Sequence, residues 1–364
     1  MTAEFEYVFP AIRGVQAQRE YYVSMCPLRL IPKLFTFDEE ELPPDMRAQR
    51  KLNLTRIPAI SRYLIENKDN YVFSSITASV NGPVIFEPIG DQDAHNRVGS
   101  LRIDMNAQFI INDGQHRRGA IEAALKEEPS LGDETISVVF FIDRGLERCQ
   151  QMFVDLNKHA IKPSASLNTL YDQREDISKI AKAIALESTT FKGVVEMEKS
   201  TLARRSRKLV TLSAIKTATA CLLAGKELKN IDDATSFSIK YWDELGKHIS
   251  EWQLVSQGRI TAGEIREGYV NCHAIVLQVL GIIGNKLCDL SWKESKERLK
   301  LLEQIDWSRS NAKVWEGRAM IGGRMSKSSN NITLTSNYIK SQIGLDLSPE
   351  EQRVEDAYLR GENV

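Results

Sequence analysis

The sequence predicts an α+β fold: a mixed-sheet N-terminal domain over residues 1–170, followed by an all-α C-terminal domain over residues 171–364. Three observations carry this. Runs rich in β-branched and aromatic residues, bounded by turn formers, concentrate ahead of residue 170 and alternate there with helical periods. Beyond that point long helical patterns take over. A chain of 364 residues with 42% hydrophobic content is also long enough to bury a core in each of two domains.

Taken in order, residues 21–25, 71–80 and 136–142 read as strands. Ile57, Ile60 and Leu64 recur at three and four residues beside Arg56, Arg62 and Glu66, the spacing of a surface helix. Between Gly99 and Ile111 the pattern is strand, Asn106-Ala107 turn, strand, a hairpin in outline. A helix follows from Gln115 or His116, and another begins near Arg144. In the second half, helices are expected over 177–186, 212–223, 269–287 and 292–305. Gly322-Gly323 and residues 326–331 read as a polar, flexible loop. Ser348-Pro349-Glu350-Glu351 opens a final helix with a Ser N-cap and an acidic first turn.

Charge and cysteine usage narrow the function. The 48 basic and 49 acidic residues leave a formal charge of −1, so no global field draws the chain onto nucleic acid or an anionic membrane, and any such affinity must come from local patches. The five cysteines are scattered without a C-x-x-C pair, which predicts reduced residues in a cytosolic protein. The N-terminus has acidic residues where an export signal has basic ones, and the longest apolar stretch, near Ala274–Ile283, contains Gln278 and falls short of the roughly 20 residues of a membrane span. His95, His248 and His273 lack metal-ligand spacing. The tryptophans all fall in the helical half and read as core; only Trp307, near Arg309, hints at base stacking.

The chemistry concentrates at Asp113-Gly114-Gln115-His116-Arg117. Gln108-Phe109-Ile110-Ile111 is a short apolar strand, and Asn112-Asp113-Gly114 breaks it with residues suited to tight turns. In the helix that follows, Arg118, Glu122 and Lys126 stand four apart and form a solvated charge stripe, whereas Arg117 shares a face with Ile121 and Leu125. An arginine on the apolar face of a first turn brings its guanidinium to the free N–H groups of the helix end, an anion site in outline. His116 adds a hydrogen-bond donor or a general acid or base. Asp113 fits an N-cap, a group orienting His116, or a ligand for phosphate-bound Mg²⁺. The same residues also suit a purely architectural strand-to-helix junction.

Two further segments stand out. Arg204, Arg205, Arg207 and Lys208 put four basic residues into five positions, a run suited to a DNA backbone or to a solvated loop. Asn157 and Lys158 either close over the phosphate site or end a helix, with Asn157 as its C-cap.

The string Asn112-Asp113-Gly114-Gln115-His116-Arg117-Arg118-Gly119-Ala120 matches the signature of DGQHR-domain proteins, and the chain resembles the DndB family of bacterial DNA phosphorothioation systems. Residues 19–25, 49–53 with Arg56 and Ile57, and 153–158 support the resemblance, which is strongest before residue 170. DGQHR domains are in turn similar to the ParB and sulfiredoxin superfamily, which implies a ParB/sulfiredoxin-like mixed sheet and a Gly114, Gln115, His116, Arg117 turn that contacts nucleotide phosphates. Sulfiredoxin chemistry needs a cysteine directly before the His-Arg pair. Gln115 stands there, so the resemblance does not extend to sulfinic acid reduction. It implies a cytoplasmic, DNA-binding regulator of the modification gene cluster. Its partners are then double-stranded promoter DNA, other phosphorothioation proteins and further copies of itself, with no membrane. Two alternatives stay open: an ATPase or CTPase switch holding a nucleoside triphosphate with Mg²⁺ at the turn, Asp113 being the metal ligand, and a ParB-like nuclease in which Asp113 and His116 are catalytic.

Overall fold

Alternation of apolar and polar residues dictates the sheet. In the strand Val98–Asp104, Gly99, Leu101 and Ile103 are buried while Val98, Ser100, Arg102 and Asp104 face outward, the period of a half-buried strand. A computed structural model describes residues 5–35, 54–142, 151–152, 155–156, 163–226 and 230–361. The chain divides into two compact units, residues 1–161 and 162–364.

The first unit holds a seven-stranded mixed sheet built from β1 (Glu6–Gln16), β2 (Arg19–Pro27), β3 (Ile76–Asn81), β4 (Val84–Pro88), β5 (Val98–Asp104), β6 (Gln108–Asp113) and β7 (Thr135–Ile142). Their order is β4-β5-β1-β2-β7-β3-β6, antiparallel except for the parallel β3–β7 pair. β3 and β4 stand at positions six and one of that order, yet only Gly82 and Pro83 join them. Three Cα steps reach about 11 Å, whereas five strand spacings of a flat sheet span about 24 Å. The sheet therefore curls until its two edges are close; the Asp104 N–H, donating to the Pro83 carbonyl at 3.2 Å, extends the β4–β5 ladder as far as the junction. Rings from distant strands meet inside the curl: Phe109 of edge strand β6 lies 5.9 Å from Tyr7 of β1 and 6.0 Å from Phe140 of β7.

This curl overturns the expected hairpin over 99–111. Both strands form, but β5 pairs with β1 and β4, and β6 pairs with β3. The strand expected over 71–80 begins only at Ile76, because the backbone before it is bound to a helix end: Tyr71 N–H donates to Asn67 O at 2.7 Å and Val72 N–H to the Tyr63 hydroxyl at 3.0 Å. Three helices of this unit matter for the site: α1 (Ile31–Leu34), α2 (Ile57–Glu66) and α3 (Gln115–Glu127), with α2 and α3 packed on each other. The helix expected near Arg144 falls largely outside the described residues.

The second unit is helical, with two short strand pairs, Val195–Glu196 with Val210–Thr211 and Met320–Ile321 with Arg324–Met325. Its centre is the helix Ala274–Leu287, in which nine residues are buried, packed against Leu212–Leu223. The expected helix over 269–287 starts five residues late because residues 269–270 run beside 307–309; Val270 N–H donates to Trp307 O at 2.9 Å. The expected helix over 292–305 runs Trp292–Lys300 and tightens into a 3-10 turn. The expected loop is only partly one: Gly322-Gly323 turns a hairpin and residues 326–328 are irregular, but Ser328 caps the helix Ser329–Gln342, which takes up the remainder. Ser348 does cap the final helix, Pro349–Leu359, with Glu351 completing a capping box.

Trp307 is buried and stacked on Trp315 at 5.5 Å, which removes it from any base-stacking role. Burial pushes the thiols of Cys26 and Cys272 up to about 12, the state of inert structural cysteines. Among the described residues no helix is long and apolar enough to cross a membrane.

Candidate functional site

Strand β6 ends at Asp113, helix α3 begins at Gln115, and Gly114 joins them with φ +109° and ψ 12°. That conformation favours glycine, and a Cβ there would also lie 3.0 Å from Ile76 Cγ1 and 3.2 Å from Arg117 Nη2. Gly114 takes the N-cap position with no side-chain cap, so Asp113 is not the cap expected of it. Its carboxylate instead accepts from Arg117 Nη2 at 2.7 Å, one helical turn ahead. The same nitrogen donates to the Ser75 carbonyl oxygen at 3.0 Å, just before β3 begins. Arg117 thus ties the start of β3 to the end of β6, and its Nε is buried without a hydrogen-bond partner.

Arg118 departs from the sequence expectation. Its side chain is less exposed than that of Arg117, 13% against 20%. Besides pairing with Glu122, it donates to Phe35 O at 2.9 Å and Pro32 O at 3.3 Å, placing a cation at the C-terminal end of α1, where carbonyls lack intrahelical donors. The four-residue spacing to Glu122 is real. The stripe is not solvated at Arg118, because α1 covers it.

His116 sits in the first turn of α3. Burial, then the nearby charges of Arg56 and Arg117, hold its imidazole below the usual histidine range, against an opposing pull from Asp113. Arg56 is exposed at the start of α2, and the packing of α2 on α3 brings its charge to His116. Sequence periodicity placed Arg56 on a surface stripe and missed this role; its only signal was its place beside a matched stretch. The turn therefore combines a helix N-terminus with a local excess of positive charge. Among the described residues no group of three His, Cys, Asp or Glu side chains is placed to hold a metal ion, and the Asp113 carboxylate proposed for Mg²⁺ is engaged by Arg117. Asn157 and Lys158 lie outside the described residues.

The basic run forms a loop in the second unit. The guanidinium of Arg266, from the helix Ala262–Gly268, donates to the carbonyl oxygens of Ala203 at 2.9 Å, Arg204 at 3.0 Å and Ser206 at 3.1 Å, and also to that of Lys208. With the carbonyls drawn inward, Arg204, Arg205 and Arg207 project into solvent. Arg204 pairs with Glu267 through two nitrogens, and Lys208 Nζ donates to Gly193 O at 2.8 Å. The run is thus a held surface of cations and not a loose segment. Nothing in the spacing of the sequence marked Arg266, since its partners lie about sixty residues away.

The glycine turn thus sits on a curled mixed sheet and the basic loop on a helical unit, and the family comparison gives this combination a name. The model of the DndB family, DNA-sulfur modification-associated, matches residues 9–346, and the chain belongs to that family. No curated protein and no solved structure matched the chain.

Proposed function

We propose that this chain is a DNA-binding regulatory protein of the DNA sulfur modification system, recognising double-stranded DNA in the promoter region of the modification gene cluster. The observation that carries the reading is the loop at 203–208: in a chain of net charge −1, Arg266 holds a basic run from which Arg204, Arg205 and Arg207 project into solvent, with Lys208 beside them. Each phosphate contact releases counterions and steepens the salt dependence of binding by about 0.9 in the log–log slope. Replacing Arg204, Arg205, Arg207 and Lys208 by Ala should therefore flatten the slope measured on a duplex from the upstream region of the cluster. An unchanged slope refutes the assignment.

A second reading is favoured by the cationic surroundings of His116. The Gly114–Arg117 turn holds the phosphates of a nucleoside triphosphate with Mg²⁺, and nucleotide state switches DNA binding. In this reading the N–H groups of Gln115, His116 and Arg117 and the charge of Arg56 face the phosphates, and hydrolysis or strand cleavage draws on Asp113 and His116. A triphosphate that binds the folded state raises the thermal midpoint in proportion to its concentration over Kd. Absence of any shift with ATP or CTP and Mg²⁺ removes the reading.

A further inference from the structure

The hairpin Met320–Ile321 and Arg324–Met325 has two residues in each strand, far too few to be stable in water by itself. Three attachments hold it. Met320 is buried and Met325 packs against the same core, so the inner pair anchors the hairpin. The Glu316 carboxylate accepts the N–H groups of Gly322 and Gly323 at the tip. Arg309 Nη2 donates to the Gly323 carbonyl oxygen at 2.8 Å.

All this fixes a tip that contributes nothing to the core. Gly322 and Gly323 both have positive φ, 56° and 72°, as a type I′ hairpin turn requires, and no atom stands within 4 Å of where their Cβ atoms would be. The tip is therefore thin and clear of the rest of the unit. Ile321 and Arg324 are directly opposite in register, so they share the face turned away from the core, and both are exposed. An exposed isoleucine, 57% accessible, thus stands beside an exposed guanidinium on a held tip.

The same anchor connects the tip to the basic loop. The Arg309 main-chain N–H donates to Gly268 O at 2.8 Å and its Nη1 reaches Glu267 O at 3.4 Å, while Glu267 is the ion-pair partner of Arg204. The C-terminal end of the helix Ala262–Gly268 thus carries both the loop, through Arg266 and Glu267, and the hairpin tip, through Arg309.

We infer that the hairpin is the groove-reading arm of the DNA interface whose backbone-gripping part is the loop 203–208. A guanidinium reads acceptors on base edges, and an adjacent apolar side chain wedges against a base step or packs on a thymine methyl. Phosphate contacts from the loop set position and carry no sequence information, whereas the hairpin supplies discrimination.

The inference rests on the DNA-binding reading, and one experiment separates their failures. Binding is measured for the full chain on two duplexes of equal length, one from the upstream region of its gene cluster and one of shuffled sequence. The Ile321→Ala/Arg324→Ala variant should lose about tenfold of the preference for the upstream duplex while keeping its affinity for the shuffled one. The loop variant should weaken both alike. Both substitutions are on exposed side chains, and an unchanged thermal midpoint confirms that the double variant is folded. If the unaltered chain binds neither duplex, the DNA reading fails. If it binds both equally, or if the double variant keeps the full preference, the arm is overturned while DNA binding stands. A double variant that instead loses affinity for both duplexes in equal measure assigns the hairpin to the phosphate backbone and also overturns the groove-reading role.

Discussion

Arg117 Nη2 stands 2.7 Å from Asp113 Oδ2 and 3.0 Å from the Ser75 carbonyl oxygen, so one guanidinium nitrogen binds the end of one strand and the entry to another. The family turn is thus a structural clamp, and the anion role proposed for it would compete for the same donor.

The clamp has a measurable stability. The ion pair to the half-exposed Asp113 contributes less than about 1 kcal/mol, and the bond from a charged donor to the Ser75 carbonyl about 1.5 kcal/mol. Arg117→Ala should lower unfolding stability by about 2 kcal/mol, read as a shift in the urea midpoint with unchanged slope. Asp113→Asn should cost far less. Equal losses for the two would show that the Ser75 contact contributes nothing.

His116 should titrate below the usual value of about 6.5, with burial and the charges of Arg56 and Arg117 as the causes. Removing one of those charges in Arg56→Ala should move the NMR midpoint of its ring protons upward. The unfolded chain binds the proton more readily than the folded one. The stabilising contribution of the neutral ring is therefore complete above about pH 6.5 and lost as pH falls through the folded-state pKa. An inorganic phosphate bound at the turn would oppose the cations and raise the midpoint; a midpoint indifferent to both Arg56→Ala and phosphate rejects the anion site.

Arg266 donates to the Arg204 carbonyl at 3.0 Å, the same carbonyl that trypsin must attack to cut after Arg204. Arg266→Ala should free the loop, speed tryptic cleavage at Arg204 and Arg205 and weaken binding to DNA, although Arg266 is not itself a phosphate contact. Lysine is no substitute, since an ammonium lacks the planar fork that spans several carbonyls. Cleavage at the native rate in both variants would show that the loop is held by other means.

The final helix has no buried residue of its own, yet two buried cations depend on it: Arg318 pairs with Glu355 at 2.5 Å and Lys340 with Glu351 at 2.5 Å. Glu355→Ala leaves Arg318 buried and uncompensated and should cost about 3–5 kcal/mol, with Glu355→Gln costing less. Burial pushes the Glu351 carboxyl up, but the Lys340 ammonium and the Ser348 N–H outweigh it and hold the group below the usual carboxylate range. Its contribution is complete above the unfolded value of about 4.3 and lost as pH falls through the lower folded value. The thermal midpoints of the native chain and Glu351→Gln should converge as pH falls below about 4.3; a constant gap down to acid would refute the pairing.

Local signals carried much of this fold. Leu212–Leu223 was legible to the residue, and the start of α3 at Gln115 followed from Asn112-Asp113-Gly114. β1 was not, because Ala17 and Gln18 form its hairpin turn at φ 50° and 62°, a conformation usually signalled by Asn-Gly. The helix Ile231–Gly246 was missed too: its Asn230 cap and acidic first turn are clear, but its apolar stripe is broken by Ser238 and Glu244, both buried.

By itself, the sequence determined the family turn, its helix phase and the basic run, since turn chemistry, 3.6-residue periodicity and charge density are properties of neighbouring residues. Tertiary structure alone decided that Arg118 is largely covered by α1, that Asp113 pairs with Arg117 instead of capping, that β5 and β6 part company, and that Arg266 and Arg309 hold the basic loop and the hairpin on one scaffold. All of these but the Asp113–Arg117 pair depend on a partner donated from far along the chain. Hydrogen bonds to backbone carbonyls, which any residue type supplies, leave no trace in the pattern of side chains.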